Sequence, residues 1–451
     1  MTRAGAVLAA AVLAGAVLAP AARATFAAPV ELATDVYALG ADTDAAGTTS
    51  VLAVGQSGTR LLARPRGGAW SAATPLPGDP AGMAGPVIDA AGAGALGIAW
   101  RVDKPRAYTG IAVAMRDPGA TLSEPIAIAG ADAGGVRHPA LAIDPAGDAL
   151  LAYDSATHET HLNMRGAIAI TYRKRGGSFA SSTVVDAAPS SPPAVAIGRD
   201  GTGIVAWTHD RRLYVVSVSA DGEIGKVKRI ASPDGVVGLL AAAGEGGAAT
   251  VAWVNHHAGG TARGYRTTYF VRALVRTAGH AFAAVDTVAS SSDYVRGVSA
   301  GTDEDGRVTL AWAREHFGED RSVGQSGVTS AVLATTARAG KPFPAPLVVA
   351  KRGSRYLTPP DVAAANARVA LTWGSRTNRR DLSVQAAIGR PGAIGPPETV
   401  AAKTLKQNSF GPQSLIQETL APSGRVTVFY VEPTEMPPPA PQFVLNAADG
   451  P

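Results

Sequence analysis

Asp303-Glu-Asp-Gly-Arg-Val-Thr-Leu-Ala-Trp312 is a tight polar turn followed by a short apolar strand that ends on an aromatic ring. Six variants carry the same order of turn, strand and aromatic. They end at Trp100, Tyr153, Trp207, Trp253, Trp373 and Tyr430. Ala46-Gly-Thr-Thr-Ser-Val-Leu-Ala-Val54 is a worn copy without the ring. Eight copies, spaced by roughly 45–60 residues, are the mark of a repeat architecture built from short strands, and a propeller satisfies it best.

One unit shows what a repeat contains. Pro139 to Asp144 reads as a strand, Asp148 to Tyr153 as a second, Gly166 to Arg173 as a third and Phe179 to Val185 as a fourth. Gly-rich turns join the first to the second and the third to the fourth, and a longer polar loop joins the second to the third. Four antiparallel strands of this kind make one blade.

Residues two apart on a strand share a face. Val308, Leu310 and Trp312 therefore point one way, and Thr309 and Ala311 the other. The same split of bulky against small recurs at Val205 and Trp207 against Ala206, and at Val369, Leu371 and Trp373 against Ala370 and Thr372. A sheet with one bulky and one slim apolar face nests against its own copy. The strand-end Trp residues thus read as packing groups between blades.

The fold class predicted is all-β, a propeller of eight four-stranded blades. Seven is the alternative if the worn first copy fails to form a blade. The last unit, from Ser414 to Asn446, has three strands. Phe26 to Thr34 looks like a fourth strand with no partners before it, so the N-terminal strand is expected to complete the last blade and close the ring.

Met1 to Ala24 has a basic start at Arg3, an apolar run and the small-residue pattern Ala22-Arg-Ala24, which together read as a secretory signal peptide. Residues 25–451 are then a single propeller domain, secreted or periplasmic, without membrane insertion once the signal is cleaved. There are no cysteines, which removes disulfides and thiol chemistry. Net charge is +5 and falls to +3 without Arg3 and Arg23, with no basic run of the kind that binds nucleic acid. No cofactor motif is present, and a monomer is expected.

In a propeller the loops between second and third strands share a pole with the links between blades. Long polar loops on a rigid scaffold are where binding residues collect. That pole is predicted to carry His138, His158, Glu159, His161, His209, Asp210, His256, His257 and His316, and His280 falls at the other. Arg137, Arg296 and Arg355, the last followed by Tyr356, each precede an innermost strand and would converge near the shaft, where guanidinium groups suit a carboxylate or phosphate. A zinc site drawn from the His set is a third option, although no ligand spacing matches a metal motif. Asp42-Thr-Asp44 and Asp303-Glu-Asp305 look faintly like calcium loops, but lie where a repeat turn needs Asp.

The repeats resemble the secreted bacterial propellers grouped as sialidase-like, or Asp-box, proteins, at the level of the superfamily. That resemblance implies an Arg set with a Tyr nucleophile, for which Arg137, Arg296 and Arg355 with Tyr294 or Tyr356 would stand. The expected function is recognition of a glycan, peptide or envelope partner by the loops of the third to sixth repeats. A glycosidase or lyase acting on an anionic sugar is the alternative.

Overall fold

A computed structural model describes residues 25–451 apart from 56–57, 77–85, 93, 105–106, 129–135, 158–164, 187–190, 232–234, 262–263, 304, 317–328, 354–355, 377–380, 405–415 and 434–442. The stretch read as a signal peptide lies outside the described residues.

The repeated turn sets each blade going. In the turn after Thr302 the amide of Asp303 bonds the Arg307 carbonyl at 3.0 Å, and that of Gly306 bonds the Asp303 carbonyl at 3.0 Å. The Asp303 carboxylate accepts from the Arg307 amide at 2.9 Å. Asp44 and Asp144 do the same for Thr48 and Asp148, at 2.9 and 2.8 Å. These aspartates are turn formers. Gly306 sits at φ 70°, a left-handed conformation that carries a steric cost for any residue with a Cβ.

Eight antiparallel sheets follow around a ring, with strands in sequence order from the shaft outward except in blade 8, where the N-terminal strand is outermost. Blade 1 starts at Val36–Thr43, blade 2 at Val87–Ala91, blade 3 at Val136–Ile143 and blade 4 at Ala194–Ile197. Blade 5 starts at Val236–Ala243, blade 6 at Tyr294–Thr302 and blade 8 at Ile416–Leu420. Blade 7 departs from the regular count. Its inner strand is split into Tyr356–Leu357 and Asp361–Ala365, and its outer one into Ala393–Ile394 and Glu398–Thr404. Pro359 and Pro360 fall in the first break, because proline cannot donate to the ladder. The worn first repeat makes a full blade, so the ring has eight.

The bulky and slim faces nest as their spacing predicts. Val308, Leu310 and Trp312 pack with Ala252, Val254 and Ala273 of blade 5. On the reverse face Ala311 and Ala313 receive Val369, Leu371 and Trp373 of blade 7. Trp100, Trp207, Trp253, Trp312 and Trp373 are each no more than 1% exposed. Burying each contributes on the order of 3 kcal/mol.

Closure is made by the N-terminal strand, Val30–Thr34, which pairs antiparallel with Phe443–Gly450 of blade 8. The seam between blades 8 and 1 has a second tie. Arg64 of blade 1, buried, forms a two-pronged ion pair with Asp449 at 2.6 and 2.7 Å, bonds Thr427 Oγ1 at 2.7 Å and lies 4.6 Å from the Trp70 ring. Burial pushes the Asp449 carboxyl up, but bonds from Arg64 and Thr427 outweigh it and hold it below the usual carboxylate range. Arg64→Met keeps the stem and removes the fork. It should lower the free energy of unfolding by about 2 kcal/mol at neutral pH. The loss should begin to shrink near pH 4 and diminish further as pH falls through the depressed folded-state pKa of Asp449. Urea titrations at pH 7 and pH 3.5 measure both.

Candidate functional site

The two poles differ in content. At the loop pole, where second strands end and inter-blade links run, lie His138, His209, His256, His257 and His316. His280 belongs to a turn of the opposite pole, its amide bonded to the Thr277 carbonyl at 3.0 Å. His158, Glu159 and His161 lie outside the described residues, as does Arg355. The side chains of Arg137 and Tyr356 are also outside them.

The described histidines do not gather into one centre. Each of three is held by its own carboxylate. His138 Nδ1 lies 3.1 Å from Asp154, His209 Nδ1 3.0 Å from Asp186, and His316 Nδ1 2.7 Å from Asp293. Asp186 also accepts from the Trp207 indole at 2.5 Å, and His209 Nε2 reaches the exposed Asp210 at 3.4 Å. Asp210 and Arg211 take φ of 47° and 58°, making a two-residue hairpin turn in blade 4 in place of a long loop. His257 is exposed on the long hairpin of blade 5, opposite Thr268. Among the described residues no group of three or more His, Asp or Glu is arranged to hold a metal ion.

A compact cluster does form at the seam between blades 5 and 6. The second and third strands of blade 5 run to 13 residues each and carry their ends beyond the sheet. That extension pairs His256 with Tyr269, rings 5.9 Å apart. Gly235, at φ 53°, leaves the space that the His256 ring occupies: a Cβ there would lie 2.8 Å from it. Tyr269 meets Tyr294 edge to face at 5.2 Å, and the Arg296 guanidinium lies 5.3 Å from the Tyr294 ring. Burial, then the neighbouring Tyr294, pushes the Tyr269 hydroxyl pKa up, so it is a neutral donor at physiological pH.

Arg296 is fixed from below. Its Nε lies 2.9 Å from Oε2 of Glu315, which is fully buried. The other oxygen, Oε1, accepts from the Leu357 amide of blade 7 at 3.1 Å. Glu315 thus spans two blades and aims one guanidinium. The terminal nitrogens of Arg296 have no partner among the described residues, and its side chain is 36% exposed. Arg314 and His316 share Asp293 beside it, at 3.3 and 2.7 Å. A fork held at its root, beside two tyrosine rings, matches a carboxylate or sulfate carried on a sugar ring. Arg137 stands on blade 3, three blades away, so Arg296 is the member of the expected arginine set whose surroundings are described.

The shaft holds groups that loop-centred reasoning passes over. A cavity of about 1070 Å³ at the turn pole is lined by the inner strands of all eight blades. Asp42, Asp89, Asp361 and Glu418 line one arc of it. The Asp42 carboxylate accepts from the Ala90 amide of blade 2 at 2.7 Å, and Asp89 from the Ile143 amide of blade 3 at 2.5 Å. Glu418 accepts from the Ala363 amide of blade 7 at 3.1 Å and from the Thr372 hydroxyl. Innermost strands have one edge without a sheet partner, and these acids cap part of it across the seams. An acid inside an apolar inner strand, as in Val-Ile-Asp89-Ala-Ala, is the signal that marks them.

No protein-family model and no curated protein sequence matches this chain. Solved structures do. A lectin, BP39L from Burkholderia pseudomallei, superposes with TM-score 0.50 at 14% identity, over 82% of this chain and 100% of that one. A polysaccharide lyase described as an ulvan lyase gives TM-score 0.47 at 11% identity, over 84% and 98%. The Hadza microbial sialidase Hz136 gives 0.36 at 12% identity, over 76% and 74%. At such identities the likeness is one of fold. The chain is an eight-bladed β-propeller.

Proposed function

We propose that the protein is a secreted glycan-binding propeller that takes an anionic sugar on its loop pole, at the seam of blades 5 and 6. The observation that carries this reading is the Arg296 fork, anchored by buried Glu315, flanked by Tyr294 and left without a partner at its terminal nitrogens among the described residues. Aromatic faces beside a positioned cation suit a ring with an apolar face and an anionic substituent. The lectin likeness in fold is compatible with this, and the signal-like N terminus supports export. No helix among the described residues is long and apolar enough to cross a membrane.

The second reading is a sugar-active enzyme, favoured by the Tyr269 and Tyr294 hydroxyls beside the same fork. One titration series separates them. Uronate-bearing and sulfated oligosaccharides are offered to the mature protein by calorimetry, with product release followed in parallel. Binding without turnover, weakened roughly 10- to 100-fold by Arg296→Ala, is expected from the loss of a charge-assisted hydrogen bond. Glu315→Gln should weaken it less, because the fork remains and only its aim is lost. Turnover that disappears in Arg296→Ala would replace the binding reading with the enzymatic one. Equal affinity of wild type and Arg296→Ala would remove this site altogether.

A further inference from the structure

Blade 4 differs from the other blades at its rim. Its outermost strand, Lys228–Ala231, is entered through Lys226 and Val227, so that Lys226, Lys228 and Arg229 follow one another within four residues. The second and third strands of this blade are joined by the turn Asp210-Arg211, which sets Arg211 and Arg212 beside the same rim at the loop pole. All five cations are exposed, and none is ion-paired to an acid among the described residues. The acids nearest in sequence are Asp210, which lies 3.4 Å from His209, and Asp221 and Glu223 on the turn at the other pole.

Strand pairing shows how the charges are displayed. Arg229 lies opposite Tyr214, and Arg212 lies two residues before Tyr214 on the same face. That face packs Trp207 against Leu150 and Ile168 of blade 3. Lys228 lies opposite Val215, whose face packs on Val251 and Trp253 of blade 5. Cations on both faces of one outermost strand make a positive strip along the rim. It runs about 10 Å from Lys226 to Arg229, at about 3.3 Å per residue. Arg212 prolongs it toward the loop pole.

Charges on an edge strand also keep sheets from pairing with one another. That need does not single out blade 4. The outermost strands of blades 1, 2, 3, 5 and 8, which are Thr74–Pro75, Ile126–Ala127, Thr183–Asp186, Asp286–Ser291 and Val30–Thr34, hold no Lys or Arg. Blade 3 exposes Val184 at 63% on such a strand and does without one. Blades 6 and 7 hold theirs toward the loop pole, at Lys351, Arg352 and Lys403.

We propose that the rim of blade 4 is a docking strip for an anionic polysaccharide, a linear chain that carries sulfate or carboxylate groups on successive sugars. A line of cations along one strand matches a line of anions along a polymer, and Arg212 and Arg229 each offer a planar fork to one anionic group. A flat lipid surface would touch the outermost strand of a ring along a line only, leaving the cations of its two faces turned aside. The strip is separate from Arg296, which stands two blades away on blade 6, and it does not depend on sugar binding there.

The test uses the whole mature protein over immobilised dextran sulfate, with neutral dextran alongside. Wild type should bind the sulfated chain and not the neutral one, less tightly as salt rises from about 50 to about 200 mM. The triple variant Lys226→Gln, Lys228→Gln, Arg229→Gln should bind roughly tenfold more weakly and keep the wild-type thermal midpoint. Arg66→Gln with Arg175→Gln and Lys341→Gln removes the same charge from exposed turns of blades 1, 3 and 6, and should leave the affinity within about threefold. Both triples are also made in an Arg296→Ala background. The rim effect should persist there, so failure of the strip and failure of the blade 5–6 site are read separately. Equal weakening by the two triples would reduce the effect to net charge and overturn the strip. So would an absence of wild-type binding to dextran sulfate, with or without binding to phosphatidylglycerol vesicles.

Discussion

A mature chain that starts at Asp35 should lose its single cooperative unfolding transition, or show a midpoint at least ten degrees lower. The missing segment is the strand that completes blade 8. Val30, Glu31, Ala33 and Thr34 pair with Ala447, Asn446, Leu445 and Val444, and the Ala27 amide bonds the Asp449 carbonyl at 2.7 Å. Ala33 is buried with Val36, Leu39, Phe429 and Leu445. Phe26 covers Gly450 so closely that a Cβ there would lie 2.5 Å from its ring. Arg60 of blade 1 donates to the Thr34 carbonyl at 2.7 Å, so the strand also ties blade 8 to blade 1. Net backbone bonds of about 0.5–1.5 kcal/mol each, with the apolar burial, sum to on the order of 5 kcal/mol. Domain stabilities are about 5–15 kcal/mol, so this is a large share. The bare edge of Phe443–Gly450 would further invite pairing between molecules. Calorimetry measures the midpoint, and a synthetic peptide of residues 25–34 added in trans should restore part of it. An unchanged midpoint in the shortened chain would mean that the ring holds without this strand.

The ring itself was legible because its information is local and repeated. Turn, strand and aromatic lie within ten residues, and period-two alternation sorts each strand into its two faces. Even closure could be inferred, since Phe26 to Thr34 is a strand without partners and the last repeat lacks one. Blade 7 was harder: Pro359 and Pro360 break its inner strand, yet Tyr356–Leu357 still pairs with Ser375 and Arg376 beyond the break. The site was legible only in outline. The pole bearing His209, His256 and His316 followed from loop order, but their partners did not. Asp186 belongs to the end of the preceding blade, and Asp293 to a link, so both meet their histidines only once blades are set side by side. Glu315 was hidden for another reason. It stands three residues past Trp312, at the position where a strand normally leaves the core, and it is buried because blade 7 covers it. The acids of the shaft were missed because a carboxylate in an apolar strand looks like an exposed residue until the strand's free edge is seen to face a tunnel.

Trp312→Ala should cost about 3–5 kcal/mol, more than any substitution among the exposed loop residues. The ring is 1% exposed and fills the space between Val254, Val271 and Ala273 of blade 5 and Val295, Ala331 and Leu333 of its own blade. Nothing nearby can collapse into the gap, because both walls are sheets held by ladders. Trp70→Ala is the control. Trp70 is half-buried, lying edge-on to Phe429 at 5.7 Å and beneath Arg64, on the outside of the seam. Its removal leaves solvent in place of the ring and should cost about half as much. Urea titrations of both variants, compared at equal slope, give the difference. The strand-end tryptophans could in principle serve as sugar platforms, and the measurement decides between the two roles. A platform would lose ligand affinity and keep its stability, whereas a wedge between blades loses stability first. Should Trp312→Ala unfold at the wild-type midpoint, the nesting of bulky against slim faces would not be what holds neighbouring blades together.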